Sequence, residues 1–122
     1  MRYDTENIFA KILREEIPCK KIYEDEYALA FEDINPQAPI HVLVIPKGAY
    51  VSMVDFTSSA SDSEIAGLYR AVGKVAEYLE LSLPGYRIIA NIGENGMQEV
   101  HHLHVHVLGG KKLGPMLSGK RI

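Results

Sequence analysis

The sequence predicts one domain in which helices pack on a β-sheet, and three observations support this class. The chain has 122 residues, 47% of them hydrophobic and 24% charged, which is typical of a soluble domain with a single core. Residues 102–107 alternate histidine with leucine or valine, and strict alternation indicates a strand. Residues 65–79 repeat apolar side chains at helical spacing, so a long helix is expected to cover the sheet.

A short helix is expected near the N-terminus. Asp4 or Thr5 can cap it, and it is predicted to continue through Arg14. Its apolar stripe at helical spacing contains Ile8, Phe9, Ile12 and Leu13. The residue before a proline avoids the helical region, so Ile17–Pro18 is expected to close this segment.

Three strands are predicted in the next part of the chain. Residues 22–24 and 27–32 are separated by only two polar residues, which favours a hairpin. Residues 33–39 contain two prolines and an Asn-Pro step, so they are predicted to form a loop. The aliphatic run 40–47 follows as a buried strand that a proline stops, with His41 at its entrance.

The second half is predicted to contain the long helix and two further strands. Ser61 and Glu64 form a capping box at the start of the helix. Its apolar stripe contains Ile65, Leu68, Tyr69, Val72, Val75, Ala76 and Leu79. Residues 86–91 are the next strand, and the loop 92–98 leads into the histidine strand. Glycines in that loop let backbone N–H groups approach a phosphate, although a plain hairpin connection is the alternative.

Composition and the N-terminal sequence exclude several classes of function. A net charge of −3 gives no indication of nucleic-acid binding by a basic surface. The single cysteine, Cys19, excludes a disulfide framework and a Cys-x-x-Cys zinc site. Residues 1–6 lack the apolar core of a signal peptide, and no run is long enough to cross a bilayer. The expectation is one cytoplasmic domain, residues 1–122, that binds neither nucleic acid nor membrane.

The histidines have three possible interpretations. On a strand, His102, His104 and His106 stand on one face, roughly 6.5–7 Å apart, and His41 can extend the row. They can be a polar face without further role, or a zinc site in which His41 or Glu99 supplies another ligand. They can also perform nucleophilic catalysis at phosphorus, because neutral imidazole is a good nucleophile near pH 7.

Most of the chain resembles the histidine triad superfamily of nucleotide hydrolases and transferases, in its nucleotide-binding branch of bacterial type. The superfamily motif is the run His102-Leu103-His104-Val105-His106-Val107-Leu108. Further similar segments are residues 7–12, 16–18, 33–41, 44–47, 98–100 and 108–117. The resemblance implies an α+β, HIT-like fold: a five-stranded antiparallel sheet, a short N-terminal helix and a long helix. It also implies a homodimer, across which the sheet is extended and in which the tail 113–122 approaches the partner's pocket.

The resemblance also implies a pocket for a purine nucleoside monophosphate, with residues carried over by position. The base is expected among Ile8, Phe9, Ile12, Phe31 and Ile34. Asp33 is expected to hold the ribose hydroxyls, since a carboxylate accepts two hydrogen bonds. The phosphate is expected among Asn91, Met97, Gln98, Glu99, His104 and His106, with Gly96 in the same nucleotide-binding set.

The roles implied by the resemblance are those of a hydrolase with a covalent intermediate. His104 is the expected nucleophile, and His106 contacts the phosphate and shares in proton handling. His102 and His41 are expected to fix tautomer and ring orientation. The predicted reaction cleaves purine nucleoside phosphoramidates, such as adenosine 5′-phosphoramidates, to AMP or another nucleoside monophosphate and an amine.

Several alternatives stay open at this point. The leaving group can be a nucleotide, in a dinucleoside polyphosphate hydrolase, or the domain can bind nucleotides without turnover. A metalloprotein would use His102, His104, His106 and Glu99. No cofactor is expected, and no structural zinc, because Asn7 and Ala10 stand where zinc-binding members carry cysteines. Glu99 occupies a place where animal members carry serine.

Overall fold

The computed structural model describes residues 2–117, which form a five-stranded antiparallel sheet with three helices. The strands lie in the order β1-β2-β3-β5-β4 and comprise β1 Lys21–Glu24, β2 Ala28–Glu32, β3 Ile40–Pro46, β4 Arg87–Ile89 and β5 Val105–Gly109. The helices are α1 Ile8–Leu13, α2 Met53–Ser59 and α3 Asp62–Tyr78. The predicted α+β class and five-stranded antiparallel sheet are confirmed. Within residues 2–117 no helix is long and apolar enough to cross a bilayer, and residues 118–122 of the predicted tail lie outside the described part.

The sheet separates two apolar clusters, which follow from the alternation of side chains along β3. Val42 and Val44 belong to the larger cluster, beneath α2 and α3, whereas Leu43 and Ile45 belong to the smaller cluster, beneath α1. Neighbouring residues of a strand point to opposite faces. A strand buried on both faces, as predicted for residues 40–47, is therefore confirmed.

The ends of the helices differ in part from the prediction. Ser61 caps α3 in the predicted capping box, but α1 is capped by Asn7, neither by Asp4 nor by Thr5. α1 also ends before Ile17–Pro18, because Glu15 adopts a left-handed conformation with φ 63°. The N–H groups of residues 15 and 16 then donate to the carbonyls of residues 12 and 11, which is a Schellman ending.

Helix α2 was not predicted. Its N-cap Ser52 accepts from the N–H of Asp55, whose carboxylate accepts in return from the N–H of Ser52. This is a capping box with aspartate in place of glutamate. The helix has one fully buried side chain, Phe56, which meets Tyr50 edge to face, so its stability depends on that contact.

The histidine strand is shorter than predicted. β5 begins at Val105, so His102 and His104 precede it in an extended segment. Its neighbour β4 has only three residues, and the β4–β5 pairing ends where Ile89 meets His106, while the β3–β5 pairing ends at Val105. The aliphatic partners still point into the larger core, as predicted, and they are Leu103, Val105 and Val107.

Candidate active site

The histidines lie on the face of the sheet that α1 covers. In the β3–β5 ladder, Leu43 is opposite His106 and His41 is opposite Leu108. Opposed residues share a face, so His41 and His106 are diagonal neighbours, and Nε2 of His41 lies 2.8 Å from Nδ1 of His106. The ring of His104 follows, with its centroid 5.0 Å from that of His106. His41 therefore extends the row of imidazoles.

A backbone amide determines the tautomers at one end of this row. The N–H of Gln37 donates to Nδ1 of His41 at 3.0 Å. That nitrogen must present its lone pair, so the proton of neutral His41 is on Nε2 and is donated to Nδ1 of His106. Neutral His106 then carries its own proton on Nε2, because each neutral imidazole has one N–H.

Two backbone carbonyls determine the tautomers at the other end. The carbonyl of Pro46 lies 2.8 Å from Nε2 of His102, and the carbonyl of His102 lies 2.7 Å from Nδ1 of His104. A carbonyl only accepts, so His102 is protonated on Nε2 and His104 on Nδ1. The Tyr3 hydroxyl donates to the remaining nitrogen of His102, at 2.6 Å. Nε2 of His104 is left with a lone pair.

Nε2 of His104 is therefore the free nucleophilic atom of the row. Among residues 2–117 no hydrogen bond involves Nε2 of His104, and every fully buried polar side-chain atom of this part has a partner. Nε2 therefore reaches solvent, although His104 as a whole is only 6% exposed. An imidazole in this state can attack an electrophile without first losing a proton.

Burial keeps the imidazoles neutral. It lowers the pKa of His102 and that of His106 to about 4 each. Burial also lowers the pKa of His104, opposed by the bond to the His102 carbonyl and by the charges of Asp33 and Glu99. Near pH 7 these rings are therefore hydrogen-bond donors and lone-pair carriers, not cations.

A group of possible metal ligands overlaps the row, but it is not the group considered from the sequence. Asp33, His41 and His106 each offer an atom within 4.8 Å of the others, whereas both ring nitrogens of His102 are already bonded. Burial lowers the pKa of His41 and the Asp33 charge raises it. The Gln37 amide keeps the proton of His41 on Nε2, the atom that a metal would need. The arrangement therefore opposes metal binding.

Gln98 organises the glycine loop from within. Its side-chain oxygen accepts from the N–H of Gly93 at 2.9 Å, and its amide nitrogen donates to the carbonyl of Val51 at 2.8 Å. Gln98 is 7% exposed. Both ends of this side chain, expected beside the phosphate, are thus used to fix the loop to the segment before α2.

Several backbone N–H groups of the loop 92–98 are used inside the protein. Met97 adopts φ 59° and donates its N–H to the carbonyl of Glu94, while Asn91 donates its side-chain N–H to the carbonyl of Gly96 at 2.7 Å. A Cβ at Gly96 would lie 2.4 Å from the carbonyl oxygen of Ile92, so only glycine fits there. Because the N–H groups of residues 93, 97 and 98 are bonded inside the protein, they are not free for a phosphate.

The side chains expected around a base divide into two groups. Phe9, Ile12 and Phe31 lie together in the smaller cluster, and Phe9 meets Phe31 edge to face at 5.4 Å. The edge of Phe9 also meets the ring of His104 at 5.0 Å, which joins this cluster to the histidines. Ile8 and Ile34 are instead 41% and 96% exposed.

Glu99 lines a groove beside the N-terminus of α1. The groove has a volume of about 250 Å³ and is lined by Asp4, Asn7, Ile8, Glu99, Val100 and His101. Glu99 is exposed, and its charge reaches His104. Asp33, by contrast, points into the histidine row, with one oxygen 3.4 Å from Nε2 of His41.

Sequence reasoning missed Tyr3 and the Gln37 amide. The Gln37 amide fixes the tautomer of His41, and the Tyr3 hydroxyl bonds the His102 ring across 99 residues of chain. Neither contact belongs to a periodic pattern. The one available signal was the restricted loop 33–39, which brings a backbone N–H back to the start of the next strand.

Comparison with known proteins places this chain in one family. Residues 14–113 match the family model described as HIT domain. A HIT-like protein of Azospirillum brasilense is 63% identical over 95% of both chains. The purine nucleoside phosphoramidase of Escherichia coli strain K12 is 43% identical over 94% of this chain and 96% of its own. A histidine triad protein from Clostridium difficile superposes with a TM-score of 0.82 at 42% identity, covering 93% of this chain and 98% of its own.

Proposed function

Because this chain belongs to the HIT domain family, we propose that it is a nucleotide hydrolase whose substrates are purine nucleoside 5′-phosphoramidates. One observation supports the proposal most directly. The His102 carbonyl keeps the proton of His104 on Nδ1, which leaves Nε2 of His104 as an unprotonated nucleophile. The similarity to the phosphoramidase of Escherichia coli supports this class of substrate.

In the first step Nε2 of His104 attacks phosphorus, the P–N bond breaks and the amine departs. The departing nitrogen takes up a proton from solvent. In the second step water attacks phosphorus, the bond to His104 breaks, and the attacking water releases a proton to solvent. Two displacements through a nucleotidyl-histidine replace one difficult hydrolysis.

The surrounding groups suit the charges of this pathway. His106 presents Nε2–H, a neutral donor for a phosphate oxygen. Transfer of the nucleotidyl group to Nε2 turns the His104 ring into a cation, which the His102 carbonyl stabilises through the existing hydrogen bond at 2.7 Å. The carboxylates of Asp33 and Glu99 also favour a positive His104. Groups placed in advance for such charges lower the barrier without rearranging.

The decisive experiment compares substrates on one purified sample. We expect hydrolysis of an adenosine 5′-phosphoramidate to AMP, and a mass increase of one adenylyl group on the protein after quenching in base. Faster turnover of a diadenosine polyphosphate would favour the alternative reaction. Binding of AMP with every phosphoramidate left intact would favour a module that only binds nucleotides.

The proposed enzyme is a cytoplasmic homodimer. Its support is the edge strand β4, which has a neighbour on one side only and carries Ile88, 46% exposed. Apolar edge strands readily pair with another chain. Light scattering at micromolar concentration should give twice the chain mass, and Ile88→Lys should give the monomer. Val54→Lys, at an apolar position of α2 that is 74% exposed, is the control; a monomeric wild type would contradict the proposal.

A further inference from the structure

One side chain of the N-terminal segment contacts the histidine row. The proposed chemistry does not use this side chain. The Tyr3 hydroxyl lies 2.6 Å from Nδ1 of His102. The two rings meet edge to face, with centroids 5.6 Å apart. Tyr3 is half-buried and His102 is 0% exposed, so this segment reaches the interior of the site.

Tyr3 must be the donor in this contact. The Pro46 carbonyl takes the Nε2 proton of His102 at 2.8 Å, so the neutral ring has a lone pair on Nδ1. Within the described part of the chain, the Tyr3 hydroxyl is the hydrogen-bond partner of that nitrogen. A buried acceptor without its donor is unfavourable, since water does not replace the missing bond.

His102 in turn controls the nucleophile. Its carbonyl accepts from Nδ1 of His104 at 2.7 Å. The β3–β5 ladder begins only at the pair Val44–Val105, so strand pairing does not fix the peptide of residue 102. Two groups anchor this peptide: the Leu103 N–H donates to the Tyr50 carbonyl at 2.7 Å, and the imidazole of His102 is bonded at both nitrogens.

We propose that Tyr3 is a positioning residue for catalysis. By holding Nδ1 of His102 while Pro46 holds Nε2, it fixes the ring attached to this peptide and so sets the direction of the carbonyl that keeps the proton of His104 on Nδ1. Loss of the Tyr3 hydroxyl lets the His102 ring turn and the peptide tilt about the remaining bond of the Leu103 N–H, and His104 then exchanges between its two tautomers. Only one of these tautomers presents a lone pair on Nε2. The effect on rate rests on the proposed function, whereas the effect on the tautomer does not.

The test compares Tyr3→Phe with Tyr78→Phe. Tyr78 lies on α3 and is 69% exposed. Tyr78→Phe therefore removes the same hydroxyl oxygen away from the site. With an adenosine phosphoramidate we expect kcat of Tyr3→Phe to fall roughly tenfold, since a small misplacement of a reacting group slows its reaction. KM should stay within about twofold, because Tyr3 is not among the residues expected to contact the nucleotide. Tyr78→Phe should match the wild type.

Nitrogen-15 NMR of the imidazoles separates positioning from mere stabilisation. In the free wild-type protein His104 should show the Nδ1–H tautomer alone, and in Tyr3→Phe both tautomers. A single His104 tautomer in Tyr3→Phe, or a kcat within twofold of the wild type, would overturn the proposal. A wild type that hydrolyses no phosphoramidate would refute the proposed function, yet the NMR comparison would still test the role of Tyr3.

A melting curve establishes that Tyr3→Phe is folded at the assay temperature. If it is not, the wild-type spectrum provides the test. The Nδ1 signal of His102 must then have the shift of an acceptor that receives a hydrogen bond. The shift of a free acceptor would overturn the proposal.

Discussion

The backbone N–H of Gln37 donates to Nδ1 of His41 at 3.0 Å and thereby determines where the proton of His106 lies. A main-chain amide does not titrate, so this end of the row cannot adopt the alternative tautomer without losing the bond. His106 is consequently held as a donor toward its open side. The same bond keeps a proton on the nitrogen that a metal would need.

Removing this amide should release the tautomers of His41 and His106. Gln37→Pro removes the N–H, whereas Gln37→Ala keeps it and removes only the side-chain bond to the Asn35 carbonyl. We expect kcat of Gln37→Pro to fall by about tenfold or more, because His106 no longer presents Nε2–H reliably. We also expect the proline variant to bind Zn²⁺ more tightly by isothermal calorimetry. Equal kcat and equal zinc affinity in the two variants would contradict this account.

His104→Ala should abolish turnover while leaving the nucleotide bound. The substitution removes the nucleophile, so we expect kcat to fall by several orders of magnitude. AMP affinity should change much less, because the imidazole makes only one of several contacts. Folding should survive, since Leu103, Val105 and Val107 provide the core contacts of this segment. The adenylyl adduct seen with the wild type should be absent.

The matched variant for this prediction is His102→Ala. It removes a ring bonded to Tyr3 and Pro46 but leaves the imidazole of His104 in place. Its turnover should be reduced and its adduct still detectable. Near-normal hydrolysis by His104→Ala, or loss of the adduct in both variants, would assign the nucleophile to another group.

Local patterns predicted most of the fold because local interactions create it. The capping box of Ser61 and Glu64 starts α3 where expected. The hairpin of β1 and β2 follows from two polar residues between apolar runs. Helix α2 has a similar cap at Ser52 but only one fully buried side chain, Phe56, which is too few to give a periodic signal. Whether such a helix forms depends on its tertiary contacts.

The site was predictable for the histidines and not for the groups that orient them. Alternation along the strand places His104 and His106 on one face, and the register of β3 adds His41. The proton positions depend instead on the Gln37 amide and on backbone carbonyls, and Tyr3 holds the His102 ring. These contacts arise from the folded path of two irregular segments, for which sequence periodicity contains no information.

Glu80→Gly should stabilise the protein. Glu80 follows α3 with φ 60°, and the next N–H donates to the Ala76 carbonyl in a Schellman ending. A side chain in this conformation costs about 1–2 kcal/mol, and the extra freedom of unfolded glycine offsets about 0.5–1 kcal/mol. We expect urea denaturation to show a free energy of unfolding higher by roughly 0.5–1 kcal/mol.

Two further variants test the reason for that gain. Glu80→Ala removes the charge and keeps the left-handed strain, so it should not stabilise. Glu77→Gly introduces a glycine at an exposed position of the same helix, where it should lower the free energy of unfolding by about 1 kcal/mol. Equal gains from Glu80→Gly and Glu80→Ala would show that charge, not backbone conformation, is responsible.

The free energy of unfolding should fall as the pH decreases from 6.5 toward 4. Burial lowers the pKa of His102 and that of His106 from the ordinary 6.5 to about 4 in the folded state, so in this window the unfolded chain binds more protons. Above pH 6.5 the two histidines leave the free energy of unfolding at its full value. As the pH falls from 6.5 toward 4, each histidine lowers this free energy by roughly 1.4 kcal/mol per pH unit.

Urea denaturation at pH 7.5, 6.0 and 5.0 measures this slope. Carboxylates such as Glu24, whose pKa its lysine neighbours Lys21 and Lys47 lower to about 2, affect stability mainly at lower pH, so the histidines dominate here. His106→Asn should reduce the slope between pH 6 and 5 by roughly 1.4 kcal/mol per pH unit, the share of one histidine. His101→Asn, at the exposed fifth histidine, should leave it unchanged. A free energy of unfolding that stays constant from pH 7.5 to 5.0 would mean that these imidazoles are not held neutral by the fold.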